Sequence, residues 1–185
     1  MSSLASHSPD DVCSMKGDWK EAARNINILR GQSNWSRCVQ THVYASLLYM
    51  QMLESGDTEL KAKIADEMSQ LPKLRRRIGG KTVPVEKLAM YTSSRFFRNN
   101  ETLCVPIYEI FYFYNILSHT GGKAERVDPI LRGIEEERQA IGSIQDVTND
   151  NVDQYCLLLL LKGACLRYKK CYKQAVDCFS EIIQL

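Results

Sequence analysis

Two short segments of the chain align without a gap, and they constrain the fold more than any other feature. Lys16-Gly17-Asp18-Trp19-Lys20-Glu21-Ala22 matches Lys169-Lys170-Cys171-Tyr172-Lys173-Gln174-Ala175, and the register continues with Ile26 opposite Phe179 and Leu29 opposite Ile182. Each copy is a basic turn, an aromatic residue, Ala three positions on, then large apolar residues four and seven beyond. That spacing is one face of an amphipathic helix entered through a turn. The small residue lets a neighbouring helix approach closely, and the aromatic fills the gap beside it. Gly163, upstream of the second copy, offers the same closeness from the partner helix. The predicted packing positions are Gly17, Trp19, Ala22 and Ile26 in the first copy, and Gly163, Tyr172, Ala175 and Phe179 in the second.

A small residue in the first helix of a pair, with an aromatic and Ala in the second, is the tetratricopeptide pattern. The copies lie 153 residues apart. That is roughly four and a half of the 34-residue periods such repeats use, so the middle of the chain departs from a regular array. Chance likeness between two amphipathic helices is the competing explanation; the shared spacing favours the repeat.

The rest of the chain reads as helices punctuated by glycine. Asp18 caps a helix that Gly31 ends, and Ser33 or Asn34 caps a second from Trp35 to about Glu54. The apolar set of this second helix is too wide for a surface helix, which predicts burial on most sides. Leu60, Ile64, Met68 and Leu71 mark a third, closed by Pro72. Pro84 starts a fourth that Asn99-Asn100 ends. The aromatic run from Thr102 to Ser118 fits a strand or a helix by composition; its length and Pro106 near its start favour a buried helix. After Gly121-Gly122 comes a helix to Ile141, with Pro129 and Gly133 predicting irregular first turns. Val152–Tyr168 and Tyr172–Leu185 form the last pair. Five prolines and ten glycines in 185 residues disfavour a loop-rich β fold.

Leu71 to Asn100 stands apart by charge. Lys73, Arg75, Arg76, Arg77, Lys81, Lys87, Arg95 and Arg98 face a single acid, Glu86, a local balance of +7 in a chain that nets +2. Three readings compete: a solvated face around a turn, an electropositive surface for acidic peptides, or a nucleic-acid or anionic-lipid contact. Phe96 and Phe97 interleave with the cations, too few aromatics for a stacking surface, so nucleic acid is not expected. Gly80-Lys81-Thr82 imitates a phosphate loop, but Arg75 stands where that motif needs glycine and no strand precedes it.

No catalytic set emerges. His7 lies in the tail, His119 beside a Gly-Gly turn, and His42 inside a helix as a satisfied core or surface imidazole. Glu135, Glu136 and Glu137 read as a solvated face with no cause for raised pKa values. The seven cysteines form no C-x-x-C pair and most sit in apolar helical pattern, as small hydrophobes of a reducing compartment do. No metal or cofactor is expected. The N-terminus lacks a secretory apolar region and the longest apolar run is Cys156 to Leu161, which predicts a cytoplasmic chain.

Trp19-Lys20-Glu21-Ala22, Ser33 to Cys38, the run from Leu71 to Lys87 and the following Arg95-Phe96 together resemble the C-terminal part of the tetratricopeptide-repeat-protein-39 family, which includes the fungal inclusion-body-clearance proteins. The string L-P-x-L-x-x-x-I-x-G-K-x-x-P-x-E-K is its most specific part. The resemblance covers about Lys16 to Leu185. It implies an all-helical repeat scaffold of the cytoplasm with no established catalysis. Family members are much longer, so the chain resembles a C-terminal fragment or short isoform with apolar surface at both ends.

The expectation is therefore an all-α, tetratricopeptide-like helical array (an α-solenoid) of about seven helices. Residues 1–14 form a disordered tail, and 15–185 one helical domain with a basic irregular insert at 71–100. It acts as a non-catalytic scaffold for other proteins, its concave face contacting them through Lys73, Arg75, Arg76, Arg77, Lys81, Arg95 and Arg98. The alternative is a peripheral adaptor on an anionic membrane that uses the same charges.

Overall fold

A computed structural model describes residues 17–32, 36–148 and 150–185. The expected tail, Lys16 and the caps Ser33 and Asn34 lie outside them. Eight α-helices follow one another among the described residues, against about seven expected. They are α1 Trp19–Gln32, α2 Arg37–Ser55, α3 Leu60–Leu74, α4 Lys87–Arg98, α5 Pro106–Phe113, α6 Ala124–Ile141, α7 Val152–Tyr168 and α8 Tyr172–Gln184. The β structure among these residues is a hairpin, β1 Arg77–Ile78 and β2 Lys81–Thr82. The chain is all-α, as its periodicity requires. It forms two compact units that divide between Ile107 and Tyr108, inside α5.

In the first unit α2 is the hub. It packs on α1, α3, α4 and the 3-10 turn Pro84–Glu86, and it buries residues from Cys38 through Met50 on nearly every side. Around it close Trp19 and Ala22 of α1, Ile64, Met68 and Leu71 of α3, and Leu88 and Phe96 of α4. The N-cap of α2 is Ser36, whose Oγ accepts the Val39 N–H at 3.2 Å. Asp18 Oδ1 likewise accepts from Glu21 N at the start of α1.

Pro72 does not close α3; it sits inside the last turn, which runs on to Leu74. Proline lacks the N–H that would bond the Met68 carbonyl. Ser93 Oγ of α4 donates to that carbonyl at 2.8 Å, so a side chain of the next helix replaces the missing backbone donor. Buried polar groups demand such partners.

The second unit stacks α7 between α6 and α8. Its core joins Val127, Ile130 and Ile134 with Tyr155, Leu158, Leu159, Ala175 and Cys178. The aromatic run is helical, but α5 stops at Phe113 because Asn115 takes a left-handed φ of 57°, and the 3-10 turn Ile116–Thr120 follows. The first turns of α6 are regular despite Pro129, whose lost bond leaves only the carbonyl of exposed Glu125 without a helical donor. Gly133 lets Tyr108 lie against α6; a Cβ there would stand 2.9 Å from the Tyr108 Oη.

Candidate interaction surface

The segment after α3 is built by its glycines. Gly79 and Gly80 both have positive φ, 58° and 79°. Two consecutive left-handed residues match the twist of a tight hairpin, and only glycine adopts them freely. Arg77 therefore pairs with Thr82 and Ile78 with Lys81, and the Val83 N–H donates to the Arg76 carbonyl at 3.3 Å. A two-residue strand does precede Gly80-Lys81-Thr82, contrary to the sequence reading. It leads into an antiparallel turn rather than a helix, so the phosphate-loop reading still fails.

The hairpin buries almost nothing of its own, and its attachment is Glu86. This carboxylate, the lone acid among eight cations, is 1% exposed. One oxygen accepts from Ser36 Oγ and the other from the Arg76 backbone N–H, each at 2.6 Å. Ser36 thus relays from the α2 backbone to Glu86, and Glu86 holds the base of the hairpin. Cys38 lies in the same corner: burial first, then the Glu86 charge, push its thiol up to about 12 while Arg75 draws it down. That thiol is inert at neutral pH.

The basic side chains divide into groups. Lys73, Arg77, Lys81, Lys87 and Arg98 are exposed, and none forms an ion pair among the described residues. Arg75 and Arg76 are half-buried at the hairpin base. Arg95 is half-buried too, its guanidinium 5.2 Å from the Tyr91 ring centroid. Arg95 and Arg98 occupy the last turn of α4, where cations complement the helix dipole. Among the cations, Ile78 of β1 is 76% exposed.

The repeat positions are placed unevenly. Trp19 and Ala22 are buried, as is Ala175, while Ile26 and Phe179 are half-buried. Gly17 takes a φ of 80° directly before the cap residue. A Cβ on Gly163 would overlap the Phe179 ring, so α7 and α8 approach closely there. Tyr172, however, is 60% exposed, so the aromatic that plugs a gap in α1 leaves its counterpart in α8 facing solvent.

Sequence reasoning missed Glu86, Ser36 and Ile78. The single acid in a basic run was a visible signal for the first, and Gly-Gly between short apolar-flanked runs was one for the hairpin. His42 is neither at the surface nor satisfied. It is 1% exposed, neither ring nitrogen has a hydrogen-bond partner, and burial, then Arg95, lower its pKa to about 3. Glu135 is no solvated acid: it bonds Arg138 Nε at 3.1 Å and pairs with Lys162. Burial alone would raise its pKa, but those hydrogen bonds bring it below the usual value. The half-buried Glu137 is raised by burial and by Glu136. Among the described residues no three metal-ligating side chains cluster, and no helix is long and apolar enough to cross a membrane.

Comparison with known proteins places the fold. The family model for Iml2/Tetratricopeptide repeat protein 39 matches residues 11–169. The chain belongs to this family. Among its curated relatives, tetratricopeptide repeat protein ttc-39B of Caenorhabditis elegans is 31% identical over 167 residues, 90% of this chain. The chain spans 28% of that relative's length. No solved structure matches it. The hairpin, Glu86 and the cations around them all fall within the matched family region, whereas α8 lies beyond it.

Proposed function

We propose that this chain is a non-catalytic interaction scaffold, and that the basic surface around the hairpin is where an acidic segment of another protein docks. Its family name places it among tetratricopeptide repeat proteins, a helical class that builds binding surfaces from stacked pairs. One observation carries the finer reading. The only acid of the 71–100 stretch is buried and fully engaged, so the exposed charge there is wholly positive and unpaired. Exposed cations steer and register an acidic partner more than they add affinity.

The test is quantitative mass spectrometry of partners recovered with the full chain and with K73E/R77E/K81E. These three side chains are exposed, so the variant keeps its fold, which circular dichroism checks. Recovery should fall about tenfold or more for the main partners and decline with salt. Unchanged recovery contradicts the basic-surface reading. Sedimentation with anionic vesicles decides against the rival membrane reading if the unmutated chain stays in solution.

A further inference from the structure

We propose that the hairpin recognises its partner through an apolar tip as well as through charge: Ile78 seats against an apolar side chain embedded in an acidic peptide segment. This rests on the docking surface proposed above and specifies its ligand. At 76% exposure Ile78 is among the most exposed large hydrophobic residues of the chain. It stands on β1 between Arg77 and the Gly79-Gly80 turn, directly across the ladder from Lys81. A scattered surface isoleucine is ordinary; this one is held on a short ladder between two unpaired cations.

The hairpin is also anchored at its base. Two left-handed glycines allow the tight turn, one Glu86 oxygen accepts from the Arg76 N–H, and the other accepts from Ser36 Oγ at the start of α2. Anchoring the base reduces the freedom the segment loses on binding, which favours affinity from a small contact. Charge complementarity selects the occupant. Lys73, Arg77, Lys81 and Lys87 have no partners within the described chain, so a segment rich in Asp and Glu fits, while a basic or neutral apolar one meets unpaired cations. Acidity alone does not use Ile78; an acidic segment with a Leu, Ile or Phe does.

A phage library of random 12-residue peptides selected on the immobilised full chain tests this. Enriched peptides are resynthesised, labelled and titrated against the unmutated chain, I78S and K73E/R77E/K81E. The expected peptides combine several acids with a large apolar residue. I78S should weaken binding about five- to tenfold, the order expected from re-exposing one aliphatic side chain. Replacing the apolar residue of the peptide by Ser should cost the same factor, and combining both changes should cost no more than either. The charge variant should weaken binding about tenfold or more, with the salt dependence largely lost. If I78S binds as the unmutated chain does, the apolar tip is refuted while the acidic-segment reading stands. If the charge variant binds normally, or the enriched peptides lack acids, both fail. If no peptide is enriched and phosphatidylserine vesicles bind in an Ile78-dependent way, the tip belongs to a membrane contact and the peptide proposal is overturned.

Discussion

Helices α7 and α8 meet where Gly163 leaves room for the Phe179 ring, whereas the hairpin over 77–82 is tied to α2 through one buried carboxylate. The first arrangement is specified by volume. Its fit is spread over Tyr155, Leu159, Leu166, Ala175 and Cys178, with Phe179 and Ile182 packed against them. The second is specified by hydrogen bonds and turn geometry, and leaves most of its own side chains in solvent. Close packing resists change at every contact, while a polar anchor concentrates the dependence in one residue. A segment built the second way keeps its surface free for other work.

That contrast breaks most severely at Gly163. Gly163→Val should cost about 3 kcal/mol or more in urea denaturation, because overpacking against Phe179 cannot be relieved by a small shift. Adding Phe179→Ala should recover part of the loss, since the clash is with that ring. Glu86→Ala should cost about 2–3 kcal/mol, as the Arg76 N–H and Ser36 hydroxyl lose a buried charged acceptor. Ser36→Ala removes both the cap and the relay, so combining it with Glu86→Ala should give less than the sum.

His42 gives an effect of intermediate size and a clear sign. Its pKa falls from 6.5 to about 3 through burial first and Arg95 second. The unfolded chain therefore binds the proton more readily. The stability due to neutral His42 is complete above pH 6.5 and erodes as pH falls towards 3. Between pH 7 and 5 this should cost about 2 kcal/mol, and His42→Gln should lack that part of the acid sensitivity in paired denaturation curves. The smallest effect is at the turn. Gly79→Ala should cost about 1 kcal/mol, by forcing a left-handed φ on a residue with a Cβ. It should leave α7 and α8 untouched.

Much of the fold was legible because apolar spacing reports helices directly. The capping role of Asp18, the central burial of α2, the Gly121-Gly122 turn and the α7–α8 pair all follow from local pattern. What stayed hidden depends on distant partners. Pro72 reads as a stop until Ser93 supplies the bond it lacks. Tyr172 reads as a packing aromatic until its neighbours are known. Glu86 reads as a stray acid in a basic run, since nothing local says that Ser36 lies 50 residues back and within bonding distance. The basic surface was visible as charge, but its division into five exposed cations and a half-buried set at Arg75, Arg76 and Arg95 required coordinates.

The claim that the hairpin is the contact element is tested most directly by hydrogen exchange across the whole chain, with and without the tightest of the selected acidic peptides. Slowed exchange confined to the residues around Arg76–Val83, with the amides of α7 and α8 unchanged, is the predicted result. Slowed exchange centred on α7 and α8, with 76–83 unaffected, would contradict it.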